Sequence, residues 1–127
     1  MDYVWLLILI ALAQYIFFSG KVGAGRGKFD IPAPKTVGND EWERLYRIQQ
    51  NTLEQLILFV PGMIAFATYV SETWALLPGV AYIVGRLLYG MTYAKDAEKR
   101  APGAVMSIFA NIALVAGGLI GVVLSLI

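Results

Sequence analysis

From Ala104 to Ile127 the sequence runs 24 residues without a charged side chain. A run that long and that apolar matches the hydrocarbon core of a bilayer. There, backbone groups must pair within the segment, so it folds as a spanning helix. Three further runs precede it. Tyr3 to Ser19 is apolar except for Gln14, starts beside Asp2 with no basic residue before it, and shows no small-residue cleavage pattern. It reads as a retained span rather than a signal peptide. The pattern predicts a second helix over about Glu41 to Val70 and a third over about Trp74 to Ala94, with only the short turn Ser71 to Thr73 between them. The expected fold is an all-α membrane protein: one four-helix transmembrane bundle over residues 1–127.

Two stretches join these spans on the charged side. Gly20 to Asp40 holds seven Gly and Pro residues, which argue against a continuous helix there. Asn39 or Asp40 is placed to cap the second helix, and Glu41 and Glu43 suit the positive end of its dipole. That helix is longer than the hydrocarbon core is thick, so its first turns are expected to project from the membrane, with Pro61 and Gly62 kinking its middle. Lys95 to Pro102 is the second charged loop. All ten Lys and Arg lie in these two connectors or in the helix turns leading to them, while the opposite side has Asp2, Glu72 and no basic residue. The positive-inside rule puts both connectors and the second helix's extension in the cytoplasm, and both termini on the non-cytoplasmic side.

The chain has neither Cys nor His. A thiolate metal site, a cysteine nucleophile and an imidazole base are thereby excluded, and no metal is expected. Any chemistry falls to Arg, Tyr, Glu, Asp, Ser or Lys, or to a group a substrate brings. The polar residues form one pattern. Arg47, Asn51 and Glu54 stand at i, i+4 and i+7 on one helix face, where the second helix enters the membrane. Tyr82, Arg86, Tyr89 and Tyr93 share a face of the third, and Arg100 follows seven residues after Tyr93. Ionisable groups at that depth cost free energy unless partnered, so they mark a functional site. The cations outnumber Glu54, which suits an anionic ligand with several carboxylates held by bidentate arginines, its ammonium on Glu54. The plainer alternative is structural: Arg47 or Arg86 neutralises Glu54 across the bundle. Tyr89 and Tyr93 read equally as interfacial aromatics, and Lys95 and Lys99 as positive-inside charges. Asn111 and Gln14 read as helix-packing polar groups, Trp5, Trp42 and Trp74 as interface anchors, and Ala113, Gly117 and Gly121 as a small-residue packing row.

ERLYRIQQNTLE running into an apolar helix, followed by GRLLYGMTYAKDAEKRAPG, resembles the MAPEG family, membrane-associated proteins in eicosanoid and glutathione metabolism. The compact loops look like those of a bacterial member. The resemblance implies a homotrimer that binds glutathione between neighbouring subunits near the cytosolic face, in the inner or plasma membrane if bacterial. It implies glutathione contacts at Arg47, Gln49, Asn51 and Glu54 on the second helix, at Arg86, Tyr89 and Tyr93 on the third, and at Arg26 in the first connector. Arg100 matches the residue credited with activating the thiol in leukotriene C synthase-like members. A guanidinium favours thiolate over thiol, and the thiolate is the nucleophile. Gln55 stands where such members carry a tyrosine, and Gly27 where some carry a second basic residue. The implied activity is that of a glutathione transferase or peroxidase acting on lipophilic substrates. The rival readings are a non-catalytic lipid-presenting protein of the same fold and a small multidrug transporter.

Overall fold

The computed structural model describes all 127 residues and contains four α-helices and no strand. They are α1 (Asp2–Lys28), α2 (Asp40–Tyr69), α3 (Glu72–Lys95) and α4 (Ala101–Leu126), with a 3₁₀ turn at Ala97–Arg100 between the last two. All four spans are long and apolar enough to cross a membrane. They run up and down: the Met1 amino group pairs with Glu72 at 2.8 Å, and a Cβ on Gly121 of α4 would meet the Tyr69 carbonyl oxygen at 2.9 Å. Both termini therefore lie at the end of the bundle that carries the α2–α3 turn. That turn is only Val70 and Ser71, and Ser71 caps α3, its Oγ accepting from Trp74 N at 3.1 Å.

The first connector departs from expectation. α1 does not stop at Ser19 but continues to Lys28, straight through Gly20, Gly23, Gly25 and Gly27. Gly25 shows why one of these glycines is needed. It is buried against Trp42 of α2, and a Cβ there would lie 2.7 Å from the indole Cδ1. Trp42 Nε1 donates to the Val22 carbonyl at 3.0 Å, and Trp42, Val22 and Ile31 form a small apolar cluster. Trp42 is therefore not an interface anchor: it is fully buried, whereas Trp5 and Trp74 are exposed. The connector shrinks to residues 29–39, and Asn39 Oδ1 caps α2 by accepting from Trp42 N at 2.9 Å. At ~1.5 Å per residue, the 30 residues of α2 reach ~45 Å, past a hydrocarbon core of ~30 Å. Helix α2 passes through Pro61 as a single element.

The main core lies in the membrane half, around Ile8, Phe59, Met63, Tyr82 and Leu114. The Phe59 and Tyr82 rings stack with centroids 3.9 Å apart. Helices α3 and α4 touch backbone to backbone. A Cβ on Gly103 would lie 2.6 Å from Tyr89 Cα, and one on Gly85 would lie 2.8 Å from Ser107 Oγ. Close approach of this kind is what small residues allow between spans that gain nothing from a hydrophobic effect in lipid. The expected small-residue row is only partly used. Gly117 packs on the Phe66 ring and Gly121 on Tyr69, but Ala113 is exposed. Gln14 and Asn111 tie helices together, Gln14 Nε2 to the Ile83 carbonyl at 3.0 Å and Asn111 Nδ2 to Gln55 Oε1 at 2.9 Å.

Candidate functional site

Arg86 sits at the centre of the polar constellation and is 0 % exposed. Its Nη1 donates to Asn51 Oδ1 at 2.7 Å and to Thr52 Oγ1 at 3.3 Å, and its Nε to Ser107 Oγ at 2.9 Å. Ser107 Oγ in turn donates a hydrogen bond to the Gly103 carbonyl at 2.8 Å. One guanidinium thus bridges α2, α3 and α4. Its Cζ also lies 4.4 Å from the centroid of the Tyr89 ring. A charge in so dry a place survives by such bonds. Glu54 is not among its partners, so neither helix-to-helix neutralisation anticipated for that carboxylate forms: the only ion pair in the chain is Met1–Glu72.

From Arg86 a stack of side chains leads outward along α3. Tyr89 is buried against Phe18 and Ile48, and its ring meets Tyr93 edge-on at 5.3 Å. Arg100 then lies with Cζ 5.8 Å from the Tyr93 ring centroid. It reaches this place from the 3₁₀ turn rather than from a prolonged α3, since α3 ends at Lys95. Its Nη1 donates to the Ala97 carbonyl at 2.6 Å, which folds the side chain back over its own turn. Arg44 Nε binds the Ala94 carbonyl at 3.2 Å and closes α2 onto the end of α3. Between them lies an open groove of about 300 Å³ lined by Asp40, Glu43, Arg44, Arg47, Tyr93 and Ala97. Arg47 and Arg100 are exposed, and Asn51 and Tyr93 are half-buried.

Two candidate residues stand elsewhere. Gln49 points towards α1, its Nε2 donating to Ser19 Oγ at 3.1 Å. Arg26 holds the first connector, with Nη1 donating to the carbonyls of Lys35 at 2.7 Å and Ile31 at 3.3 Å and its guanidinium 4.7 Å over the Trp42 ring. The single chain thus brings Arg47, Asn51, Arg86, Tyr89, Tyr93 and Arg100 together and leaves Arg26 and Gln49 on its α1 side. Glu54 is exposed on α2 with no cation paired to it. Sequence reasoning did not single out Thr52 and Ser107. The only trace of Ser107 is its place four residues after Gly103 and four before Asn111, a small and polar line along α4.

Residues 4–120 match the MAPEG family profile. The chain belongs to the MAPEG family. A Synechocystis protein described as uncharacterized is 37 % identical to this MAPEG chain over 95 % of it and 90 % of the relative. Human microsomal glutathione S-transferase 2 is 32 % identical over 79 % of this chain and 68 % of its own length. Bovine leukotriene C4 synthase is 33 % identical over 88 % of this chain and 77 % of its own. Membership in this family, with four spans, makes the chain an integral multi-pass membrane protein. The stack from Arg86 to Arg100 is the most extended polar feature within the bundle of this MAPEG chain.

Proposed function

We propose that the protein is a glutathione-dependent membrane transferase, and that the groove between α2 and the α3–α4 turn is its glutathione site. The observation that carries this reading is that Arg47 of α2 and Tyr93 of α3 line one open groove, with the Arg100 guanidinium 5.8 Å from the Tyr93 ring centroid. The similarity to glutathione S-transferase and leukotriene C4 synthase supports it. Arg47 binds a glutathione carboxylate, Asn51 and Tyr93 give hydrogen bonds, and Glu54 takes the ammonium. Arg86 and Tyr89 lie beneath the ligand and hold Asn51 and Tyr93 in place. Arg100 stabilises the thiolate after the thiol proton passes to water, because a cation close to sulfur favours its charged form. The thiolate attacks an electrophilic carbon of a lipophilic substrate, forming a C–S bond as the leaving group departs or an epoxide C–O bond opens. With a lipid hydroperoxide it attacks oxygen and releases the alcohol. A second glutathione then reduces the sulfenic acid to give the disulfide and water.

The working unit in this reading is a homotrimer. Arg26 and Gln49, on the α1 side of the chain, reach the ligand bound by a neighbouring copy. The unpaired Glu54 on the exposed face of α2 supports a site that closes only on assembly. The basic end of the bundle faces the cytoplasm.

Stopped-flow ultraviolet absorbance at the thiolate band, on mixing purified protein with glutathione, tests the central step. A thiolate signal in the parent that is lost in Arg100→Ala, with glutathione still bound, is the expected result. An equal signal in both proteins removes Arg100 from the mechanism, and no binding in the parent removes the reading altogether.

A further inference from the structure

On the side of the bundle where α1 and α3 meet over α2, a cavity of about 220 Å³ shares no residue with the groove around Arg47 and Tyr93. Its floor is Phe18, Ile48 and Gly90, all buried, and its sides are Phe17, Leu87 and Met91, all more than half exposed. Gly90 makes the floor deep: a Cβ there would lie 2.7 Å from the Phe18 ring. At the connector end the cavity runs past Lys21 and Lys95 into a second one of about 390 Å³, which adds Lys28 and Glu41. Three cations face one carboxylate there, and none has an ion-pair partner within the chain. Lys21 Nζ stands 5.0 Å from the Phe17 ring centroid, and Lys28 Nζ stands 5.1 Å from that of Phe29.

We propose that this crevice binds one anionic phospholipid of the bilayer with a hydroxyl-bearing headgroup, such as phosphatidylglycerol. The apolar half lies along two spanning helices, where it meets acyl chains from the side, and one chain packs along Phe17, Phe18, Leu87 and Met91. The charged half lies where the spans give way to the basic connectors, at headgroup level. The phosphate sits between Lys21 and Lys95, and a headgroup hydroxyl donates to Glu41. The excess of lysines over Glu41 selects a net negative headgroup over a zwitterionic one, as basic pockets between spans do elsewhere. The assignment does not depend on the glutathione reading, since no lining residue belongs to that site.

The test is thermal unfolding of delipidated protein in a neutral detergent, with phosphatidylglycerol or phosphatidylcholine added, alongside native mass spectrometry of the same samples. Phosphatidylglycerol is expected to raise the unfolding midpoint by several degrees more than phosphatidylcholine, and to remain bound at one lipid per chain. Lys21→Gln/Lys95→Gln should abolish that difference, and Lys35→Gln/Lys99→Gln, which removes equal charge outside the crevice, should keep it. Equal effects of the two lipids overturn the proposal, as does equal loss in the two double variants, which would mean general surface attraction. A free fatty acid matching phosphatidylglycerol overturns the phospholipid assignment. A second copy of the chain seated on this face would leave a Met91→Cys label unreactive in the delipidated protein, and that also overturns it.

Discussion

Asn51 Oδ1 accepts a hydrogen bond from Arg86 Nη1 at 2.7 Å, which joins the most deeply buried charge in the chain to a half-buried amide one helical turn after Arg47. The bond fixes which end of the amide points inward. With its oxygen on the guanidinium, the Asn51 NH₂ is left free to donate to another partner. Thr52 Oγ1 shares the same Nη1 and Ser107 Oγ accepts from Nε, so the amide is oriented through three helices rather than by its own.

Replacing Arg86 by Leu is expected to remove these bonds and orphan their partners, lowering stability in detergent by about 3 kcal/mol at roughly 1 kcal/mol for each lost bond. Arg86→Lys keeps the charge but cannot span Asn51, Thr52 and Ser107 at once, because an ammonium is a compact point donor. It should unfold at a temperature between parent and Leu variant and bind glutathione about tenfold more weakly. Thermal unfolding and calorimetric titration on the same samples check both. If Arg86→Lys binds glutathione as the parent does, the orientation of Asn51 does not matter to the site.

The polar stack was legible because helical spacing does not depend on the details of packing. Residues Arg47, Asn51 and Glu54, and Arg86, Tyr89 and Tyr93, fall on common faces in any α-helix. How deep each side chain sits was not legible. Arg86 and Arg47 look alike in sequence, yet one is buried between α3 and α4 because Gly85 and Gly103 let those helices touch, and the other is exposed. The glycines after Ser19 misled for a related reason. Gly25 works as a contact point for Trp42, and packing against α2 outweighs the weak helix propensity of the run. Gln49 shares α2 with Arg47 but lies two residues on, about 200° around the helix, so it meets Ser19 of α1.

Gly103→Ala is expected to be among the most damaging methyl additions in the chain. The new Cβ would press on the Tyr89 backbone, which cannot rotate away, and so would push α4 off α3 just where Ser107 reaches Arg86. Overpacking of this kind costs about 1–3 kcal/mol. Gly117→Ala meets only the edge of the Phe66 ring, a side chain that can swing, and should cost less. Unfolding midpoints of the two variants in one detergent should differ by several degrees in that order. Equal midpoints would mean that the α3–α4 contact is looser than the structure has it.

Trp42 is the keystone of the part of α1 and α2 that projects beyond the membrane. It packs on Gly25, bonds the Val22 carbonyl, stacks on Tyr46 at 5.4 Å and lies beneath Arg26. Trp42→Phe keeps most of the ring and loses the indole bond, a cost of about 1 kcal/mol. Trp42→Ala opens a cavity and should cost about 3–5 kcal/mol, concentrated in this extension. Limited proteolysis should then cut residues 29–39 faster in the Ala variant while the spans stay protected. Unchanged cleavage would show that the connector does not depend on the tryptophan.

Glu54 makes the sharpest demand on the proposed function. It is exposed on α2 in the single chain and has no cation paired to it, at a level where a free carboxylate is expensive. If a glutathione ammonium is what it holds, Glu54→Gln weakens binding about tenfold, near 1.4 kcal/mol. That change alone would also follow from a disturbed subunit contact, so the ligand must be varied too. N-acetylated glutathione lacks the ammonium and should bind the parent about as weakly as glutathione binds Glu54→Gln. It should lose nothing further when offered to that variant. Calorimetric titration of the four combinations measures the coupling directly. Additive losses would separate Glu54 from the ammonium and assign the carboxylate to contacts between copies of the chain.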